Sequence, residues 1–203
     1  KKSSFFRSEE QSPEDVYERA GIYAEFGRII CISVGIATRS GKDIGLRLKS
    51  YADPDETALL SAFREMLESY SGKRDIYLCA HNGKEFDFPY LARRMLLNGI
   101  QLPSLLDNAG KKPWEIRHLD TMELWKFGDY KHYPSLELLT RIFNIPSPKD
   151  DMDGSLVASV YYKDNNLSRI IEYCQHDVVA VAQLLMRYLG RQLIPEVKIQ
   201  YAP

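Results

Sequence analysis

Three side chains have the types and placement to hold a metal ion at a reaction site: Asp87 in "HNGKEFDFPY" (81–90), and Tyr173 and Asp177 in "YCQHD" (173–177). Tyr173 and Asp177 are four residues apart on a helical pattern, so they share one side of the helix with Cβ atoms about 6 Å apart. Asp87 follows the apolar run "IYLCA", where a strand ends, and ligand sites of open α/β sheets collect at strand ends. Carboxylates grouped without Cys or His ligands suit hard cations, Mg²⁺ or Mn²⁺, which chiefly serve phosphate chemistry. Each residue also has a plain structural reading. Asp87 alone reads as an N-cap of the helix beginning near Phe88, with Pro89 in its first turn. Tyr173 and Asp177 alone read as a half-exposed helix pair, and Phe88 reads as core.

The elements that must position these groups follow from periodicity. "RIICISVGIA" (28–37) and "IGLRLKSYA" (44–52) flank the turn "RSGKD" and predict an antiparallel hairpin. "DPDETALLSAFREMLESY" predicts a helix capped by Asp53, with Leu59, Leu60, Phe63, Met66 and Leu67 on one face. "DIYLCA" (75–80) reads as a strand and "FPYLARRMLLNG" (88–99) as a helix closed by Gly99. "EIRHLD" (115–120) reads as a short strand whose Asp120 caps the next helix, or else helps the site from the neighbouring strand end, and Ser135 caps a helix over 134–145. The last strong element, "LSRIIEYCQHDVVAVAQLLMRYLG", ends at Gly190 and packs through Ile170, Cys174, Val178, Val181 and Leu185. The order predicts an α/β domain with a mixed sheet flanked by helices.

Bulk properties narrow the classes. The chain of 203 residues suits one domain, and 44% hydrophobic content suffices for a full core. No run has the length of a membrane span, and "KKSSFFRSEEQ" lacks a signal-peptide pattern. Cys31, Cys79 and Cys174 are distant in sequence and sit in apolar segments, which predicts reduced thiols and a cytoplasmic protein. A net charge of -1 gives no electrostatic footprint for nucleic acid, so such binding must use a local patch or metal ions. "KDDMDGS" fails as a calcium loop, because Lys149 and Val160 fall at its first and twelfth positions. His81 reads as a strand-end hydrogen-bonding group, and His118 and His132 lack ligand spacing.

"NGKEFDFPYL" resembles the second motif (Asn, three residues, Phe-Asp) of proofreading-type 3′–5′ exonucleases with a ribonuclease H-like fold. "YCQHD" resembles their third motif in its tyrosine-type (DEDDy) form. Both occur in order, at a strand-to-helix junction and on a late helix. The histidine variant places its histidine five residues before the last aspartate, which here is Glu172. The nearest resemblance is to predicted exonucleases related to the proofreading domain of family B DNA polymerases. "AEFGRIICISVG" (24–35) and "DMDGSLV" (151–157) fit that group, and the resemblance covers roughly residues 20–190.

The resemblance implies hydrolysis at the 3′ end of single-stranded DNA by two divalent ions, Mg²⁺ or Mn²⁺, about 3.5–4 Å apart. It assigns metal binding to Asp87 and Asp177. Tyr173 orients the attacking water, since a phenol of pKa about 10 stays neutral at pH 7. Asn82 contacts the terminal nucleotide, and Phe86 stacks on a base. A polymerase or another replication or repair protein is the implied partner, and no membrane is.

The family's first motif, an Asp-x-Glu on an opening strand, is absent, since Glu9, Glu10 and Asp15 lie in polar sequence. Lack of that central strand would leave the hairpin and "DIYLCA" with unpaired edges, so the expectation is a sequence beginning downstream of it. Were Lys1 the true start, two of four metal-binding carboxylates would be missing. The expected organisation is a mobile lead-in (1–20), the exonuclease domain (21–190) and a C-terminal tail (191–203). Two alternatives stay open: a nucleic-acid-binding module of the same fold without catalysis, and a 3′–5′ exoribonuclease.

Overall fold

The computed structural model describes residues 20–202, apart from 42, 71, 73–75, 130 and 147–151. The expected lead-in therefore lies, except for Ala20, outside the described residues. The hairpin forms as β1 (Ile32–Ser40) and β2 (Asp43–Tyr51), antiparallel in a continuous register from Ile32 opposite Tyr51 to Ser40 opposite Asp43. α1 (Glu56–Tyr70) follows. Its cap is Asp55, not the expected Asp53: Asp55 Oδ1 accepts the Thr57 N–H at 2.9 Å, while Asp53 Oδ1 accepts the Asp55 N–H at 2.8 Å and shapes the turn before it. β3 (Cys79–Ala80) leads to α2 (Asp87–Leu97), and β4 (Leu119–Asp120) runs directly into α3 (Thr121–Lys126). α4 (Leu136–Ile142) is capped by Ser135 as expected, and α5 (Val157–Tyr162) precedes the 22-residue α6 (Leu167–Tyr188), capped by Asn166.

Residues 191–203, expected as a tail, carry β5 (Ile199–Ala202), which pairs in parallel with Leu46–Lys49 of β2. Four residues are too few to show a strand period, and the pairing joins segments some 150 positions apart in sequence, so nothing local announces it. The result is a mixed sheet in the order β1-β2-β5, with β3 and β4 forming a second, parallel pair. Among the described residues the two sheets share no ladder. β3 and β4 are each two residues long, shorter than the runs "DIYLCA" and "EIRHLD", because only Cys79–Leu119 and Ala80–Asp120 are paired.

Two faces are buried. On one, α1 and α2 enclose Ile29, Leu59, Leu60, Phe63, Leu67, Phe88, Met95 and Leu106. On the other, α6 lies across the hairpin, and Val178, Val179, Ala182 and Met186 pack on Leu46 and Leu48. Gly35 sets that approach: a Cβ there would come within 2.7 Å of Val178 Cγ1. Among the described residues no helix is long and apolar enough to cross a membrane.

The α1–α2 half is fastened by Glu56, which accepts from Ile29 N–H at 2.7 Å, from Arg94 Nε at 2.9 Å and from Asn98 Nδ2 at 3.2 Å, and pairs with Arg94 Nη2 as well. Burial opposes its ionisation, yet these donors, led by Arg94, outweigh it and hold the carboxyl below its ordinary value. A folded-state value below the unfolded one stabilises above about pH 4.3, and that gain is lost as pH falls through the folded value. Glu56→Ala, which leaves Arg94 without its carboxylate, is expected to cost about 3 kcal/mol. Urea melts of wild type and Glu56→Gln between pH 7 and pH 3 check it: the difference between the two should shrink toward pH 3.

Candidate active site

The site is organised around Asp120, at the end of β4. Its side chain is 3% exposed and accepts four backbone N–H groups. Two, from Met122 at 3.0 Å and Glu123 at 3.3 Å, belong to the first turn of α3, so the capping role expected of Asp120 holds. The other two, Asn82 at 2.9 Å and Lys84 at 3.1 Å, come from the loop leaving β3. One carboxylate thus ties the ends of both parallel strands together. Gly83 between them has no room for a side chain, since a Cβ would lie 2.4 Å from that of Ala80. His81 closes the same corner as expected of a strand-end histidine: Nδ1 meets Thr121 Oγ1 at 2.9 Å and Nε2 donates to the Pro134 carbonyl at 2.9 Å. His118 likewise serves structure, accepting from Leu78 N–H and donating to the Leu105 carbonyl.

Asp87 is the first residue of α2, and the N-cap position falls to Phe86 without a side-chain capping bond. Asp87 is therefore not the N-cap; its carboxyl accepts its own backbone N–H at the start of α2. The carboxyl keeps solvent access yet is crowded by surrounding protein. That crowding, followed by the charges of Asp120 and Asp177, raises its pKa to about 6. On α6, Tyr173 donates its hydroxyl to Asp177, the geometry anticipated from their four-residue spacing. Burial, then the Asp177 charge, pushes the Tyr173 phenol well above its ordinary value. Cys174 hydrogen-bonds Cys31 and is pushed up by that bond, by burial and by the charges of Asp177 and Asp87. Asp87 and Asp177, from elements 90 positions apart, thus act on one another.

The structure brings Asp87, Tyr173 and Asp177 together at one end of the strands and fixes Asn82 beside them through Asp120. Asn82 adopts a left-handed backbone (φ 61°), and its buried Oδ1 has no hydrogen-bond partner. A buried acceptor left open in this way calls for a donor from outside the chain. Phe86 stands at the rim, 45% exposed, with its ring 5.6 Å from that of Tyr90. The Lys84 ammonium is held by Glu123 at 2.7 Å, and Arg94 by Glu56, so neither is a free phosphate-binding cation in this arrangement. Sequence reasoning gave Asp120 its capping role but missed its hold on the Asn82 loop. The signal was there: Asp120 and Asp87 both follow the ends of predicted strands.

A family model described as a predicted 3′–5′ exonuclease related to the exonuclease domain of PolB matches residues 22–194. The chain belongs to this family. A DNA polymerase of Pyrococcus glycovorans is 23% identical over 188 residues, covering 84% of this chain and 23% of the polymerase. A DNA polymerase of Pyrococcus horikoshii is 24% identical over 188 residues, covering 84% of this chain and 14% of the polymerase. The chain therefore spans less than a quarter of the length of these relatives. The family is one of predicted 3′–5′ exonucleases, and the chain carries an α/β fold with a mixed sheet flanked by helices.

Exonuclease domains of this kind generally use divalent metals, and the donor chemistry fits them. Asp87 and Asp177 offer hard oxygen ligands, and Mg²⁺ is commonly bound through one or two carboxylates with waters and substrate phosphates completing its shell. Among the described residues no three His, Cys, Asp or Glu side chains form a compact metal cluster. Asp120 is not a ligand in this arrangement, since four N–H groups occupy its oxygens. The raised pKa of Asp87 gives a test. Without cation, a carboxyl whose folded value of about 6 exceeds its unfolded value near 3.9 stabilises fully below the latter and loses that contribution as pH rises through the former. A cation competes with the Asp87 proton, so the rise in Tm on adding Mn²⁺ should be larger at pH 7.5 than at pH 5. Differential scanning fluorimetry reads this, and Asp87→Asn should reduce the shift and its pH dependence.

Proposed function

We propose that the protein removes nucleotides one at a time from the 3′ end of single-stranded DNA, with Asp87 and Asp177 supplying two of the carboxylates that hold two Mg²⁺ or Mn²⁺ ions. The observation that carries this reading is the approach of these two carboxylates across the fold, with the Tyr173 hydroxyl already on Asp177. When bound, such ions supply a water of lowered pKa and neutralise charge developing on the phosphate. Water attacks the terminal phosphorus, the bond to the leaving 3′ oxygen breaks, and a nucleoside 5′-monophosphate departs.

Tyr173 keeps its proton throughout the neutral range, because burial and Asp177 hold its pKa high. It therefore acts as a hydrogen-bond donor that orients Asp177 and the attacking water, not as a base. The open Oδ1 of Asn82 accepts from the terminal nucleotide, and Phe86 offers its exposed ring to the last base. DNA is favoured over RNA because the similar proteins are DNA polymerases. A polymerase or repair protein is the fitting partner, with a role in proofreading or repair. The three free thiols suit the reducing cytoplasm.

The test is a 5′-labelled single-stranded DNA incubated with Mn²⁺ and protein that carries the residues upstream of Lys1, beside an RNA of the same sequence. Stepwise shortening from the 3′ end, abolished by chelator, is expected. Asp177→Ala should lower the rate by about 10³ or more, and Tyr173→Phe by about 10²-fold with little change in KM. Binding of single strands without shortening would replace the enzyme with a binding module. Shortening of RNA alone would make it an exoribonuclease.

A further inference from the structure

The far end of α3 carries a ring that the fold does not need. Phe127 closes the helix with φ 43° and ψ 34°, in the left-handed region, and is 90% exposed. Left-handed backbone is unfavourable for a bulky residue, and helices that end this way usually do so on glycine. The ring meets little protein in return: an edge of Trp125, at 6.4 Å between ring centres. A strained residue that stays in water points to a task outside folding.

Its surroundings say which task. The loop after Phe127 carries Tyr133, 61% exposed, with Lys126 Nζ 3.9 Å from its ring centre. The same loop is pinned to the active-site corner where His81 Nε2 donates to the Pro134 carbonyl. At about 1.5 Å per residue, Phe127 stands about 10 Å along α3 from Asp120. Of the nearby acids, Glu123 is paired with Lys84, and Asp129 accepts the Lys131 N–H.

We propose that Phe127 and Tyr133, with Lys126, form a stacking platform for bases of the single strand upstream of its 3′-terminal nucleotides. This rests on the exonuclease reading of Asp87, Tyr173 and Asp177. Rings stack on any base, so the platform holds the strand without reading sequence, and Lys126 supplies the charge for its backbone.

Phe127→Gly separates this role from a structural one, because glycine relieves the left-handed backbone while deleting the ring. Three quantities are measured on the full chain: Tm, Mn²⁺-dependent kcat/KM on a DNA dinucleotide and on a single-stranded 10-mer, and binding of a fluorescent 10-mer in Ca²⁺. Expected are an equal or higher Tm, an unchanged dinucleotide rate, and a roughly tenfold loss on the 10-mer, mostly in KM, matched by a roughly tenfold weaker affinity. Equal effects on both lengths, or none, overturn the platform while wild-type shortening of DNA keeps the exonuclease reading. A lower Tm with loss on both lengths assigns the ring to packing on Trp125 and likewise overturns it. A wild type that cleaves neither substrate but binds the 10-mer through Phe127 supports the platform and overturns the exonuclease reading. A wild type that neither binds nor cleaves overturns both.

Discussion

A single buried carboxylate, that of Asp120, fixes how two halves of the site meet. Burying an unpaired carboxylate is prohibitively costly, so it must find donors, and the donors it finds are backbone N–H groups of two different strand ends. Hydrogen bonds to a charged acceptor contribute about 1.5–3 kcal/mol each when formed. Because the donors are backbone, the bonds dictate chain path and not merely side-chain placement. Asn82 is drawn into a left-handed conformation, Gly83 passes against Ala80, and α2 starts with Asp87 facing the same corner. The negative charge so placed also raises the Asp87 pKa, so one residue both positions the loop and tunes a functional carboxyl.

The opposite wall depends on a close helix–sheet approach. α6 can bring Tyr173 and Asp177 to the strand ends only because Gly35 lets Val178 sit against β1, one residue beyond Asp177. Polar links extend this packing: Gln175 Nε2 donates to Ser50 Oγ at 3.0 Å, and Ser50 meets Ser33 at 2.8 Å across the hairpin. The rotation of α6 about its own axis is thereby set by Gln175 and Val178, which settles where the Tyr173 hydroxyl falls. A Cβ at position 35 would displace the helix and, with it, both functional side chains.

Legibility in the sequence followed the range of the forces involved. The hairpin, α1, α2 and α6 were readable because their periods and caps are local, and Tyr173 with Asp177 because helical spacing is a local geometry. The strand β5 was not, since its ladder to β2 is long-range and only four residues long. The capping readings of Asp120 and Ser135 held, but that of Asp53 failed by the same logic: Asp53 and Asp55 lie two positions apart, and only the turn geometry chooses. Asp87 looked like a cap because helix starts favour aspartate, yet the chain enters α2 through Phe86, and Asp87 is not the N-cap. The hold of Asp120 on Asn82 and Lys84 spans nearly 40 positions, so motif spacing could place Asp120 near the site but could not assign its bonds.

The distribution of strain follows from these constraints. Away from the site, buried charge is compensated: Glu56 meets Arg94, Asn98 and the Ile29 N–H. At the site, compensation is incomplete by construction. Asp87 and Asp177 repel one another, Asn82 Oδ1 is buried and open, and Phe127 holds an unfavourable backbone at the rim. Each of these costs would be reduced by a different part of a bound substrate complex: cations between the carboxylates, a nucleotide donor on Asn82, a base on Phe127. Stability alone would have selected a protonated or amide partner at Asp87 and glycine at position 127.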